Sequence, residues 1–330
     1  MSGHIVVIVN PTKLADLDEV RVDLERVAAG RGRDLVVVET TEEDPGFGQT
    51  RAAVDQGADV VCALGGDGTV RAVAQVLAGT GIPLGLLPSG TGNLLARNLG
   101  TPRSSVEEAL IAVIDGVDTV IDIGWLELGA DAAREGSSGE EASGIPNAGS
   151  GTVHAFTVMA GLGFDARIMD DAPEGVKDKV GWAAYCVAAA KNLRGEGFRA
   201  EVSVDGVRSR VESVRTVLAG NCGTLTGGIV LLPDAVVNDG VLDLALLTPE
   251  SLAQWTALAG RVLTGRESDG PSIERSQGRE IVVVADPPQP VEVDGDVLGE
   301  ASRVRMTISP AALVVRVPAE AGDGSQPPGR

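Results

Sequence analysis

The sequence LGGDGT at residues 64–69 decides how the first half of this chain folds. The apolar run before it predicts a buried strand, and apolar residues recur at helical spacing over 70–77 after it. A strand that turns through three glycines into a helix gathers backbone N–H groups at a positive helix end, which is the geometry of a phosphate site. An ordinary strand–turn–helix corner uses the same Asp-Gly chemistry, so this stretch alone leaves both interpretations open.

Length and composition narrow the classes of protein to consider. A chain of 330 residues has room for two domains, and 43% hydrophobic with 2% aromatic residues predicts a core of Val, Leu, Ala and Ile, as in buried parallel strands. The net charge of −20 argues against nucleic acid as a partner, since such binding needs clustered Lys and Arg. It also argues against simple adhesion to anionic lipid, so we expect any membrane-surface contact to be transient, local and largely apolar.

The cysteines and histidines exclude further chemistry. Cys62, Cys186 and Cys222 stand in apolar or glycine-rich surroundings without a CxxC pair, which predicts reduced, buried thiols in a cytoplasmic protein. His4 and His154 are the two histidines, so a histidine-based triad or zinc site has little support. The longest apolar helical run is about half of what a bilayer requires, and we therefore expect a soluble protein.

The first part of the chain alternates strands with helices. Strands are predicted over 4–9, 35–39, 59–64 and 82–87, and each ends in a polar turn. This order predicts an α/β fold class, with a doubly wound, parallel-sheet domain at 1–128 that C-terminal strands at 303–318 complete. The turns all fall at the carboxyl ends of strands, where open α/β sheets bind ligands.

The second part is mainly a series of strands, which predicts a β-sandwich-like domain over 129–302. Within it, 131–152 is rich in Gly, Ser, Ala and Glu and is predicted to be a flexible loop, and helices are predicted over 176–193 and 251–263. The tail at 319–330 is predicted to be disordered.

Four motifs together resemble a known family. They are GGDGT at 65–69, PSGTGN at 88–93, PDAVVNDGVLD at 233–243 and VDGD at 293–296. In this order and spacing they resemble the diacylglycerol kinase catalytic-domain family, which includes bacterial lipid kinases and sphingosine kinases. The first motif is shared with NAD kinases and phosphofructokinases, whereas the last two are typical of the lipid-kinase branch. No Walker A pattern is present, which argues against a P-loop kinase.

The resemblance implies ATP and Mg²⁺ as cofactors, in keeping with phosphoryl transfer by positioning and charge stabilisation. The residues that it assigns to ATP are Asn10, Pro11, Thr12, Lys13, Thr40, Thr41, Gly65, Gly66, Asp67, Gly68, Thr69, Thr91 and Asn93. It implies that Asp67 and Asp122 act with the magnesium of the nucleotide. Many relatives carry an aspartate where this chain has Leu94, and a leucine cannot ligate a metal.

Two further turns acquire roles from the same resemblance. Asp296 would accept the proton of the lipid hydroxyl, in the place of the family's glutamate and one methylene shorter, with Asp294 as the second choice of base. A structural Mg²⁺ would be held by the Asp239 carboxylate and the backbone carbonyls of Val236 and Val241. A plain Asp-Gly hairpin remains the alternative for each turn.

The resulting hypothesis is a lipid kinase that phosphorylates a hydroxyl of diacylglycerol or a related long-chain lipid, and so acts in lipid metabolism. A NAD-kinase-like enzyme with a soluble acceptor is one alternative. A catalytically silent relative that binds lipid or nucleotide is another, suggested by Leu94 and by the shortened acid at Asp296. The sequence leaves open whether the protein is a homodimer.

Overall fold

The computed structural model describes residues 4–89, 92–129, 153–163, 197–224, 230–251, 253–255, 257, 260 and 272–319. The chain divides into two compact units, one of Met1–Ile123 with Pro310–Arg330 and the other of Gly124–Ser309. Two long strands, β5 (Val117–Leu128) and β14 (Asp296–Val317), each carry the chain from one unit into the other.

The first unit has the alternating order that the sequence predicts. Its elements are β1 (His4–Val9), a 3-10 turn (Pro11–Lys13), α1 (Leu17–Ala29), β2 (Asp34–Glu39), α2 (Phe47–Asp55), β3 (Val60–Gly65), α3 (Asp67–Leu77), β4 (Leu84–Pro88), α4 (Leu94–Asn98), α5 (Val106–Asp115) and the first part of β5. The side chains of Asp16 and Ser105 cap α1 and α5 by accepting backbone N–H groups three residues on, as preferred N-cap residues do.

The sheet of this unit is parallel, with strand order β2-β1-β3-β4-β14. Residues of β1 and β3 are buried on both faces, because α1 and α5 pack on one side of the sheet and α2 and α3 on the other. The predicted doubly wound α/β domain is therefore confirmed.

The second unit is built from antiparallel strands. Besides parts of β5 and β14, they are β6 (Val153–Phe156), β7 (Met159–Leu162), β8 (Phe198–Val204), β9 (Val207–Val214), β10 (Thr216–Gly220), β11 (Leu242–Leu247), β12 (Ile273–Gly278) and β13 (Glu280–Val293). Their order is β12-β11-β10-β7-β13-β14, and β8 joins β13 to β9. Inward-facing residues such as Phe156, Leu162, Val283 and Met306 form one apolar core, and the predicted β-sandwich-like class is confirmed.

Several strand boundaries differ from the predicted ones. The run predicted over 153–159 is split into β6 and β7 at Thr157 and Val158, and the run over 209–219 is split into β9 and β10 at Arg215. Conversely, 280–284 and 291–293 form one strand, β13, despite three intervening prolines. A shift of register between Val284 and Gln289 lets the strand continue there, since a bulge tolerates a missing N–H donor.

Some predictions fall on residues outside the described part of the chain. These are the loop at 131–152, the helix at 176–193, most of the helix at 251–263, the end of the tail, Thr91 and Cys186. Cys62 and Cys222 are buried and free, as predicted, and burial raises the pKa of the Cys62 thiol to about 12. Among the described residues, no helix has both the length and the apolarity needed to cross a bilayer.

Candidate functional site

The polar turns that follow four neighbouring strands of the first unit lie along one edge of its sheet. Val9 pairs with Glu39 of β2 and with Leu64 of β3, and Gly65 pairs with Pro88 of β4. Because these strands are parallel, the residues that follow them leave the sheet side by side. The register of the strands thus brings the turns together at one edge of the sheet, as the sequence predicts.

The first turn is held by its own asparagine. The Asn10 Oδ1 accepts hydrogen bonds from the Thr12 backbone N–H at 3.1 Å and from the Thr12 hydroxyl at 2.8 Å. The Asn10 N–H donates to the carbonyl of Leu64 at 2.9 Å, which ties the end of β1 to the end of β3. Thr12 and Lys13 are exposed, so the Lys13 ammonium lies at the surface of this edge.

The turn after β2 is likewise tied to the neighbouring strand by a backbone hydrogen bond. The Thr40 N–H donates to the Val9 carbonyl at 2.8 Å, and Thr40 is buried. Thr41 is exposed, and its hydroxyl accepts the N–H of Asp44 at 3.1 Å. The structure therefore presents Thr41, rather than Thr40, to solvent.

Gly65 and Gly66 of the third turn are required for different reasons. A Cβ on Gly65 would lie 2.7 Å from the hydroxyl oxygen of Thr69, which is buried, so this glycine is needed for packing. A Cβ on Gly66 would meet nothing within 4 Å, so the space beside its backbone is open to a ligand.

Asp67 joins the third turn to the fourth. Its Oδ1 accepts the backbone N–H of Leu94 at 2.8 Å, and its Oδ2 accepts that of Asn93 at 3.1 Å. The Asn93 side chain donates in turn to the Ser89 carbonyl at 3.2 Å, and the Ser89 hydroxyl donates to the Lys13 carbonyl at 3.0 Å. One hydrogen-bonded network therefore runs through the first, third and fourth turns.

The network explains how a leucine is accommodated at position 94. Asp67 contacts the backbone of Leu94, and this contact does not depend on the side chain that the residue carries. Asn93 is buried and adopts a left-handed conformation, with φ of 53°. In this conformation the backbone N–H groups of Asn93 and Leu94 both point to the Asp67 carboxylate. A Cβ on Gly92 would collide with the Asp67 Oδ2, so the glycine lets the fourth turn approach this carboxylate.

Asp122, the other acid predicted to act with the nucleotide's magnesium, is in β5. It is buried, and its Oδ1 accepts the backbone N–H of Ala311 at 2.7 Å. Ala311 has φ of 53°, a conformation that costs an L-residue free energy, and the buried carboxylate stabilises it. This contact gives the buried carboxylate a structural role, and its metal role stays a prediction.

The two predicted base residues of the second unit have very different surroundings. Asp294 and Gly295 both have positive φ and form a two-residue turn that pairs Val293 with Asp296. Asp294 is only 4% exposed, whereas Asp296 is exposed at the start of β14. A group that takes a proton from a substrate must be reachable, and by this criterion Asp296 is the better placed of the two.

Asp294 is instead surrounded by donors. Its Oδ2 accepts the N–H and the hydroxyl of Thr157 at 2.9 and 3.1 Å, and its Oδ1 accepts the N–H groups of Val158 and Met159 at 2.9 and 3.0 Å. These four bonds join the β6–β7 turn to the β13–β14 turn. They give Asp294 a structural role in holding the turn on which Asp296 stands.

Glu292 is a residue of this turn that the sequence analysis did not single out. Burial, followed by the charges of Asp294 and Asp296, raises its pKa to about 7, although the Gly295 N–H donates to its carboxylate and acts in the opposite direction. No sequence signal pointed to it: Val291 and Val293 face the core, so strand alternation directs Glu292 to the opposite face and predicts an ordinary solvated acid.

The loop predicted to bind a structural Mg²⁺ is compact and largely exposed. The Asp239 Oδ1 accepts the N–H of Val241 at 3.1 Å, and Val236 and Asp239 are exposed. Nearby Asp243 is buried, and burial raises its pKa to about 6, partly offset by a hydrogen bond from Gln277. In the described part of the chain no three His, Cys, Asp or Glu residues are grouped to hold a metal. The predicted site has one carboxylate and two carbonyls, and it stays a prediction.

Comparison with known proteins places both parts of the chain in described domain families. Residues 4–126 match the model of the diacylglycerol kinase catalytic domain, and residues 157–317 match that of the YegS C-terminal NAD kinase beta sandwich-like domain. A Pseudomonas aeruginosa protein named "probable lipid kinase YegS-like" is 31% identical over 98% of this chain and 97% of its own length. The chain belongs to the diacylglycerol kinase catalytic-domain family.

Other members of the family extend the comparison. A protein of Mycobacterium tuberculosis named diacylglycerol kinase is 29% identical over 81% of this chain and 79% of its own length. The crystal structure of a diacylglycerol kinase from Bacillus anthracis superposes with a TM-score of 0.67 at 18% identity, covering 97% of this chain and 98% of the other. That likeness shows the same fold. The family is that of the diacylglycerol kinases and similar lipid kinases.

Proposed function

We propose that this chain is an ATP-dependent lipid kinase that phosphorylates a hydroxyl of diacylglycerol or a related long-chain lipid. The observation that carries the proposal is the Asp67 carboxylate, which binds the amides of Asn93 and Leu94 and so fixes two glycine-rich turns beside each other. In phosphoryl transfer most of the catalysis comes from such positioning of phosphates and charges.

The first unit supplies the nucleotide site in this proposal. The backbone N–H groups of Gly66 and Gly68 face phosphate oxygens, Lys13 contributes a positive charge, and Thr41 and Thr12 add hydroxyl groups. The Asp67 carboxylate, which the N–H groups of Asn93 and Leu94 hold between the two turns, is the group that would ligate Mg²⁺ in this proposal. When bound, the ion would neutralise charge on the phosphates.

The second unit supplies the proton acceptor. The hydroxyl oxygen of the lipid forms a bond to the γ-phosphorus, the bond from that phosphorus to the β–γ bridging oxygen breaks, and ADP leaves. Asp296 takes the hydroxyl proton, and Asp294 keeps its turn in place through the bonds to Thr157, Val158 and Met159.

The test measures phosphate transfer from γ-labelled ATP with Mg²⁺ to a panel of long-chain lipids that bear a hydroxyl group, diacylglycerol among them, in detergent micelles, with NAD in a parallel assay. We expect Asp67→Asn and Asp296→Asn to lower the rate by about 10²-fold or more. Glu300→Gln, a change of an exposed acid on the same strand as Asp296, is the control and should keep the rate. Transfer to NAD with none to any lipid would overturn the proposal in favour of a NAD-kinase-like enzyme. Nucleotide binding with no product from either acceptor would indicate a silent relative.

A further inference from the structure

The strand β2 lies at the edge of the parallel sheet of the first unit. In the described part of the chain β1 is its only neighbouring strand. An edge strand presents a row of backbone N–H and C=O groups, and proteins usually protect it with charged side chains, proline or a bulge. The middle of β2, LVVV at 35–38, has none of these. The strands β9 and β12 are edges too, and they carry charged residues in RSRVE at 208–212 and ERSQ at 274–277.

Alternate residues of β2 direct their backbone groups to opposite sides of the strand. The N–H of Thr40, directly after β2, donates to a carbonyl of β1 at 2.8 Å, so the even-numbered residues of β2 face β1. Leu35, Val37 and Glu39 therefore direct their backbone groups to the open side. The Glu39 carbonyl agrees with this, because it accepts a hydrogen bond from the Gln49 side chain at 3.2 Å. The groups of Leu35 and Val37 form a row that a further strand can pair with.

The side chains of β2 leave apolar surface at the same edge. Val36 is 45% exposed, whereas the residues of β3 are buried throughout. Leu35, Val37 and Val38 are only partly buried. A further strand beside β2 would therefore remove apolar surface from water as well as complete the hydrogen bonds.

The two ends of β2 carry opposite charges. Arg33, directly before the strand, is exposed. Glu39, at its other end, is also exposed and pairs with Arg21 of α1 at 3.1 Å. A strand that runs antiparallel to β2 and has the same sequence would bring the positive end of one copy to the negative end of the other.

We propose that β2 pairs antiparallel with the β2 of a second copy of this chain, about a two-fold axis at Val36. This inference does not depend on the function proposed above. Two facing residues exchange both hydrogen bonds only if both direct their backbone groups to the shared side, so Leu35 of each copy lies opposite Val37 of the other. Val36 then faces its own counterpart in a non-hydrogen-bonded pair, where facing side chains are closest.

The charges favour this register over its neighbours. With the axis at Val36, Arg33 of each copy lies opposite Glu39 of the other, and facing opposite charges stabilise a strand pair. With the axis at Leu35, Val37 would face Arg33 instead. With the axis at Val37, Leu35 would face Glu39. Because each copy has one β2 and the contact is symmetric, the assembly closes at a dimer.

Sedimentation velocity over a series of protein concentrations measures this dimer. We expect the unchanged protein to dimerise, and Val36→Asp to raise the dissociation constant of the dimer by about ten-fold or more, because two carboxylates would then face each other at the axis. Val207→Asp is the matched control, since Val207 is 77% exposed on the edge strand β9, and it should leave the dissociation constant unchanged. Circular dichroism of each variant checks that it folds.

Two charge reversals test the register. Arg33→Glu alone and Glu39→Arg alone each place like charges opposite each other at both ends of the strand pair, and each should weaken the dimer by about ten-fold. An equimolar mixture of these two variants should dimerise as well as the unchanged protein, because every reversed charge then faces its opposite.

Each other result contradicts the inference. A protein that sediments as a monomer at every concentration would overturn it, and so would an assembly larger than a dimer. A dimer that Val36→Asp leaves intact would overturn it too, since the interface would then lie elsewhere. If the mixed variants stay monomeric, the two β2 strands do not pair in this register. These results leave the phosphate-transfer assay untouched, so the proposed function is tested separately.

Discussion

The carboxylate of Asp294 holds Thr157 by two bonds to the same oxygen: Oδ2 accepts the backbone N–H at 2.9 Å and the hydroxyl at 3.1 Å. The other oxygen accepts two more backbone N–H groups, from Val158 and Met159. A carboxylate with four donors is fully engaged, which is why Asp294 can be buried as a charged group.

This contact predicts different effects for the two acids of one turn. Asp294→Asn replaces an acceptor by an NH₂ group that faces N–H donors, and we expect a loss of about 3 kcal/mol in the free energy of unfolding. Asp296→Asn changes an exposed side chain and should alter it by less than about 0.5 kcal/mol. Urea unfolding followed by circular dichroism measures both. Similar stabilities for the two variants would show that Asp294 does not have this structural role.

A second prediction concerns Ala311, the residue of β14 with a left-handed backbone conformation. Ala311→Gly should stabilise the first unit by about 1 kcal/mol, because glycine adopts the φ of 53° without strain. Asp122→Ala should destabilise it by about 2 kcal/mol, since the hydrogen bond from the Ala311 N–H to the buried carboxylate is lost. Asp118→Ala is the matched control, because Asp118 is on the same strand as Asp122 and forms an exposed ion pair with Arg316. It should have little effect on the thermal midpoint.

A third prediction separates the two neighbouring glycines of the third turn. Gly65→Ala should lower stability by about 1–3 kcal/mol, because its Cβ would press on the buried Thr69 at 2.7 Å. Gly66→Ala meets no atom within 4 Å and should fold as well as the unchanged protein, to within about 0.5 kcal/mol. Thermal unfolding without nucleotide measures both effects, and equal midpoints for the two variants would contradict the packing argument.

Stability should also depend on pH through Glu292. Its pKa rises from 4.5 to about 7 on folding, so between these values the folded state binds more protons than the unfolded state, and stability falls as the pH rises. Glu292→Gln should remove about 1–2 kcal/mol of that fall between pH 5 and pH 7, as a partly exposed site gives less than the full shift.

The measurement for Glu292 is urea unfolding at a series of pH values. Glu274→Gln, at an exposed position of β12, should leave the slope unchanged. Asp243, whose pKa is raised to about 6, should leave a smaller slope of the same sign in the Glu292 variant. An identical slope in the variant and the unchanged protein would mean that Glu292 is solvated and titrates at its ordinary pKa.

Much of the first unit could be predicted because its information is local. Apolar runs ending in polar turns predicted β1, β3 and β4 and the edge at which their turns meet, since parallel strands fix which ends are neighbours. The glycines at 65–68 and the asparagine at position 10 could be recognised from residue type alone.

The roles of the acids were decided by tertiary structure. Thr157 and Asp294 are 137 residues apart in the chain. No pattern in the sequence indicates that the Asp294 carboxylate accepts the N–H groups of the turn that follows β6. The hydrogen bond from the Ala311 N–H to the buried Asp122 likewise depends on distant segments, 189 residues apart in the chain. The sequence by itself determined the strands, the turns and the residue types available at each turn. Burial and long-range hydrogen bonds decided which carboxylates are structural and which remain exposed. The reason is that the free-energy cost of burying a charge depends on the hydrogen-bond donors that the fold brings to it.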